Sequence, residues 1–205
     1  MKLIFASHNH HKLQEVRASL GSRHSVTSLA WLGWTDQIPE TEDTLLGNAR
    51  LKAQAVDRRL GQDCFADDTG LEIEALNGAP GVLTARFAGA NATAFANREK
   101  TLRLMTGVEN RRATFRTVIV LLLQGREYVF EGKVPGEITH TEFGKDGFGY
   151  DPIFRPAGFE QTYAEMPLDL RARISHRALA IAEMRHFLEL NVAVATESNL
   201  SGANR

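Results

Sequence analysis

The sequence predicts an α/β fold with a mixed β-sheet flanked by helices, on three observations. Short apolar runs alternate with stretches whose apolar residues recur at helical spacing. A β-branched run near the middle of the chain folds back as an antiparallel hairpin. No repeat, heptad or interdomain linker interrupts the series, so strands and helices interleave in one unit, residues 1–192, with 193–205 as a flexible Ser/Asn/Ala-rich tail.

Taken in order, KLIFA (2–6) reads as a short buried strand, broken by the polar SHNHHK. Leu13, Val16 and Leu20 then recur at helical spacing, and Gly21 stops the helix. QIPETEDT (37–44) is an acidic loop whose Thr44 caps a helix with Leu45, Ala49, Ala53, Val56 and Leu60 on its apolar face, ending at Gly61. CFA (64–66) predicts a second buried strand that ends at two adjacent carboxylates, Asp67 and Asp68, with a turn at Thr69-Gly70. NGAPG (77–81) is a turn, and a helix over 94–105 carries Phe95, Leu102 and Met105 on one face. ATFRTVIVLLL (113–123) is the clearest strand, joined through QGRE to the alternating YVFEGKV. FGKDGFGYDPIF (143–154) reads as a loop with exposed rings, and Ser175 caps a last helix carrying Leu179, Ala182, Phe187 and Leu190.

The bulk numbers exclude several functions. A net charge of −1 gives no general attraction to nucleic acid or to a membrane surface, so any polyanion must meet locally placed cations. The single cysteine, Cys64, forms no disulfide within the chain and reads as a buried thiol in a reducing compartment. The opening residues are too short and polar for a signal peptide, and no apolar run approaches the roughly 20 residues of a membrane span, so a cytoplasmic location is expected.

Four motifs carry chemistry. SHNHHK, at a helix start, offers Ser7, Asn9, free N–H groups and Lys12 to a phosphate; as a zinc site its three histidines lack further ligands. Two carboxylates side by side repel unless a cation sits between them, which suits Mg²⁺ completed by water and substrate phosphates. GFGYDP (147–152) combines flexible glycines, two rings and Asp151, a combination able to hold a nucleobase. SHR (175–177) sets His176 and Arg177 at a helix start. Each has a bland reading as a cap, turn or core loop; together they make one nucleoside triphosphate site.

These stretches, with ADDTGLEIEALNGAPGVLTARFAG and FEQTYAEMP, resemble the inosine/xanthosine triphosphate pyrophosphatase family, in consistent order from residue 2 to about 190. The resemblance implies a long mixed sheet with two lobes and a cleft between them, a homodimer, Mg²⁺, and hydrolysis of ITP, dITP and XTP to the monophosphate and pyrophosphate. It implies that Ser7, His8, Asn9, His10, His11 and Lys12 bind the triphosphate, and that Asp68 ligates metal and accepts a proton beside the substrate contact Thr69. On physical grounds a metal-bound carboxylate is a poor base, so Asp67 is the alternative acceptor. The resemblance further implies that Glu40, or its neighbour Glu42, is the second metal ligand, that Phe148, Gly149, Tyr150 and Asp151 form the base loop, and that His176 and Arg177 contact the base edge. Lys52 and Arg86 match basic positions of the cleft. Arg171 departs from the pattern, standing where the family usually has Lys, and a planar fork is no simple substitute for a point charge. The competing readings are hydrolysis of modified pyrimidine or methylated nucleotides, and a nucleotide-binding module without turnover.

Overall fold

In the computed structural model one seven-stranded sheet organises the chain; the described residues are 1–202 except Ser22, with side chains described as far as Asn191. The expected tail therefore falls outside the described side chains. Strands β1 (Lys2–Phe5), β2 (Ser25–Ser28) and β3 (Cys64–Ile73) pair in parallel, with β1 between the other two. From β3 onward the pairing is antiparallel: β5 (Arg112–Leu123), β6 (Arg126–Ile138) and β7 (Phe154–Pro156) follow in order, and the two-residue β4 (Pro80–Gly81) also pairs with β3. The mixed sheet and the central hairpin are thus as the sequence predicted.

Helices α1 (His10–Leu20), α2 (Leu45–Leu60), α3 (Ala94–Leu104) and α5 (His176–Gly202) each begin at the polar cap their sequence offers. Asn9 Oδ1 accepts from the Lys12 amide at 3.1 Å, Thr44 Oγ1 from Gly47 at 3.0 Å, Thr93 Oγ1 from Ala96 at 3.1 Å and Ser175 Oγ from Ala178 at 3.2 Å. The short α4 (Leu168–Ile174) had no strong periodic signal.

Alternation along the strands builds two layers. Leu3, Phe5, Phe65, Ile119 and Leu121 face α1 and α5, while Ile4, Ala6, Cys64, Ala66 and Val120 face α2. A separate cluster at the other end gathers Leu71, Ile73, Phe115, Ile138, Phe154 and Tyr163. These cores form the two lobes.

Four expectations are corrected. β3 does not stop at the carboxylates but runs through Asp67, Asp68, Thr69 and Gly70 to Ile73, paired with β5 throughout. Gly70 marks a close approach instead of a turn: a Cβ there would lie 3.0 Å from the Gly81 carbonyl oxygen of β4. The rings of 143–154 are not uniformly exposed, since Tyr150 and Phe154 are buried in the second core while Phe143 is exposed. Phe95, Leu179, Ala182 and Leu190 are exposed too; α5 instead buries Ile181, Met184 and Leu188, against the sheet that the sequence could not orient.

Gly132 of β6 fixes the seat of α5. A Cβ on it would lie 1.9 Å from the His176 carbonyl oxygen and 2.7 Å from the Ala180 nitrogen, so helix backbone packs directly on strand backbone. Gly132→Ala is expected to push the start of α5 off the sheet, lowering stability by about 1–3 kcal/mol. Urea unfolding checks the loss, and an unchanged midpoint would contradict the close packing.

Candidate active site

The two-residue period of a strand decides what the acid pair can do. Asp67 and Asp68 are consecutive in β3 and project to opposite faces of the sheet, each into a different set of cations. On one face Asp67 Oδ1 accepts from Lys12 Nζ of α1 at 2.9 Å and Oδ2 from Arg177 Nε of α5 at 2.9 Å. Arg177 also donates to Glu15, and its Nη2 reaches Thr69 Oγ1 at 3.0 Å. On the other face Lys52 Nζ of α2 donates to Asp68 Oδ1 at 3.2 Å and to Glu40 Oε1 at 2.6 Å. Arg86 completes that cluster, 3.3 Å from Glu40 Oε2.

The two aspartates consequently differ in electrostatics. Burial alone would raise Asp67, but Lys12, Arg177 and Lys52 outweigh it and hold its carboxyl far below the usual range. Burial raises Asp68; Lys52 and Lys12 oppose the rise, while Glu40 and Asp67 add to it. Asp68 Oδ2 is buried without a partner, whereas both oxygens of Asp67 are bonded. Glu40 resists its own burial because Lys52, Lys12 and Arg86 surround it, and its carboxyl lies below the ordinary value.

Two adjoining cavities open along these clusters. One, of about 420 Å³, is lined by Lys12, Asp68 and Thr69 at one end and by Phe148, Tyr150 and Arg171 at the other. The second, of about 490 Å³, is lined by Ser7, His8, Lys52 and Arg86 among others. Asn9, Lys12 and Glu40 belong to both and mark the junction.

The aromatic end is built on loop backbone. Gly147, at φ +82°, lies where a Cβ would meet Asp151 Oδ2 at 2.2 Å and Arg171 Nη1 at 2.3 Å, so the loop presses onto this ion pair. Asp151 Oδ2 accepts from Arg171 Nη1 at 3.2 Å and from the Phe148 amide at 2.9 Å. Burial pushes the Asp151 carboxyl up to about 7, with Glu15 adding to the rise. The Phe148 ring stacks on His11 with centroids 5.4 Å apart, and the Tyr150 hydroxyl donates to the Thr84 carbonyl at 3.0 Å. His176 stacks on Phe115 at 4.6 Å and its Nδ1 is 2.6 Å from Thr117 Oγ1. Burial, reinforced by Arg177, lowers the His176 pKa well below the ordinary value, so the ring is neutral.

Of the residues singled out in the sequence, Asn9, His11, Lys12, Glu40, Asp68, Thr69, Phe148, Gly149, Tyr150, Asp151, Arg171, His176 and Arg177 line the first cavity. Ser7, His8, Lys52 and Arg86 line the second. His10 and Asp67 line neither. Sequence reading missed Glu15, Thr117 and Tyr163. Glu15 sits one helical turn from Lys12, and Thr117 is a polar residue inside a strongly apolar strand; both signals were available.

The donor set fits a divalent cation completed by substrate. Among the described residues no group of three or more His, Cys, Asp or Glu side chains could cage a metal. The unpartnered Asp68 Oδ2, near Glu40, is the kind of open carboxylate that Mg²⁺ uses when water and phosphate supply its other ligands.

The chain is similar to several known proteins. A family model described as the Ham1 family matches residues 3–187. A Porphyromonas gingivalis protein named dITP/XTP pyrophosphatase is 50% identical over 188 residues, spanning 91% of this chain and 97% of that protein. A Flavobacterium johnsoniae protein of the same name is 48% identical over 184 residues, 90% of this chain and 96% of its own. The solved Ham1 protein of Staphylococcus aureus superposes with a TM-score of 0.84 at 36% identity, covering 93% of this chain and 100% of that one.

Two measurements check the electrostatics. Asp67→Asn leaves Lys12 without its bonded carboxylate and Arg177 with only Glu15 and Thr69, and is expected to cost about 3–5 kcal/mol near neutral pH, read by urea unfolding. The contribution of Asp67 is fully present above the unfolded carboxylate value of about 3.9 and is lost as pH falls through its lower folded value. Asp151 acts with the opposite sign. Between about 4 and 7 the folded chain retains a proton that the unfolded chain has released, so stability declines as pH rises through that window. Urea midpoints between these pH values should fall in the wild type, and Asp151→Asn should flatten the decline.

Proposed function

Since the chain belongs to the Ham1 family, we propose that it hydrolyses deaminated purine nucleoside triphosphates (ITP, dITP and XTP) to the monophosphate and pyrophosphate, removing them before they enter DNA or RNA. The observation that carries this reading is the junction of the two cavities: one lined by rings, the other by cations, with Lys12 and Glu40 shared between them and Asp68 in the lining of the first. A nucleotide placed across it lays its base toward Phe148, Tyr150 and Asp151 and its phosphates toward Ser7, His8, Asn9, Lys12, Lys52 and Arg86.

Asp68 and Glu40 would hold Mg²⁺, which when bound would neutralise phosphate charge and ease attack by water. Asp67, with both oxygens bonded and no place in the lining of either cavity, is unsuited to accept the proton of the attacking water, which leaves Asp68 in that role. The water oxygen bonds to the α-phosphorus as the bond from that phosphorus to the oxygen bridging to the β-phosphate breaks, releasing pyrophosphate. Lys12 stabilises charge on the departing group. Asp67, locked between Lys12 and Arg177, is a positioning residue.

Base choice follows from donors. Arg177 can only donate; continuing that sense through Thr69 and Thr117 leaves His176 accepting at Nδ1 with its proton on Nε2. A donating Nε2, or a spare Arg177 N–H, favours a 6-oxo group over the amino group of adenine. The enzyme works in the cytoplasm as a homodimer under this reading. Light scattering tests the assembly, and no described helix is long and apolar enough to cross a membrane.

Asp68→Asn is expected to retain the wild-type unfolding midpoint within about 1 kcal/mol, the scale of one hydrogen bond, while losing at least a hundredfold in turnover. Incubation with ITP and Mg²⁺, assayed for IMP and pyrophosphate, decides it. Near-normal turnover by the folded variant would remove Asp68 from the chemistry, and no turnover by the wild type would end the proposal.

A further inference from the structure

Two residues that line the first cavity, Tyr163 and Arg171, each carry a buried polar atom that no protein group satisfies. The Tyr163 hydroxyl and Arg171 Nε are buried without hydrogen-bond partners, on residues that are 1% and 8% exposed. Both residues line the cavity of about 420 Å³. An unpaired buried polar group carries its full desolvation cost, so such atoms in a native interior point to a missing partner.

Both groups are also held firmly. Tyr163 begins a single 3₁₀ turn, Tyr163–Glu165, locked by the reciprocal cap between Thr162 and Glu165. Its ring packs on Phe154 at 5.3 Å and Phe115 at 6.2 Å. Arg171 is anchored through Nη1 to Asp151, which leaves Nε unengaged. Burial raises the Tyr163 pKa, with Asp151 and Glu15 adding to it, so the hydroxyl keeps its proton.

We propose that Tyr163 is a specificity-determining residue whose hydroxyl, with Arg171 Nε, donates to a carbonyl oxygen at the 2-position of the purine and so favours xanthine over hypoxanthine. The inference rests on the hydrolytic reading above, in which His176 and Arg177 serve the 6-oxo group. Hypoxanthine carries only C–H at its 2-position and leaves both donors unpaired. Xanthine presents an acceptor. Guanine presents an amino group, which the Tyr163 oxygen could meet but the Arg171 N–H opposes, since arginine cannot accept a hydrogen bond. A site built to bond a substrate group discriminates against the analogue lacking it, because its own buried polar atoms are then left unmet.

Tyr163→Phe removes the oxygen and keeps the ring. Because that oxygen has no partner in the free protein, the variant is expected to unfold at the wild-type temperature or above it. With XTP, kcat/KM should fall about tenfold, the order expected for one lost hydrogen bond to a buried donor. With ITP it should stay within about twofold, so the XTP-to-ITP ratio drops. An unchanged ratio, or an equal loss on both substrates with a lowered unfolding temperature, overturns the assignment while leaving hydrolysis intact. A wild type that turns over neither substrate overturns the hydrolytic reading itself.

Discussion

Two neighbouring carboxylates buried in the middle of a β-strand impose the constraint from which the site follows. Strand geometry sends Asp67 and Asp68 to opposite faces of the sheet, so each bonds its own cations, although Lys12 and Lys52 act on both through space. Each face must bring its own. Lys12 and Arg177 arrive on α1 and α5, Lys52 on α2, and the caps that start these helices set where the cations reach. The layered fold and the cleft are therefore coupled: a helix displaced from the sheet leaves a buried charge uncompensated, which is far costlier than the loss of a surface pair.

The same pairing divides the two acids by role. Asp67 is satisfied at both oxygens and held ionised, which makes it a rigid anchor. Asp68 is satisfied at one oxygen only and more easily protonated, which makes it the reactive member. Unsatisfied groups gather around the cavity more widely: of the six buried unpartnered side-chain atoms among the described residues, three belong to Asp68, Tyr163 and Arg171, which line it. Incomplete satisfaction is costly for folding, and it is tolerated where a ligand completes the bonding.

Much of this was legible in the chain. Asn9, Thr44 and Ser175 announce helices because capping is a local interaction, and the hairpin of β5 and β6 shows in its β-branched run. The site motifs were legible because chemistry selects residue types. β3 was cut short because Asp-Thr-Gly has turn propensity, which pairing with β5 on one side and close packing of β4 on Gly70 override. Tyr150 looked like an exposed ring because glycines surround it; its hydroxyl is in fact tethered to Thr84, 66 residues away in sequence.

By itself the sequence determined the α/β class, the capped helices and the residue types that meet at the site, since each depends on periodicity or on neighbours within a few positions. Tertiary structure alone decided which face each aspartate occupies, which cation it meets, and which polar atoms remain unpaired. Those outcomes depend on distances between segments as much as 162 residues apart, such as Glu15 and Arg177. Burial and electrostatic coupling exist only once such segments share a low-dielectric interior.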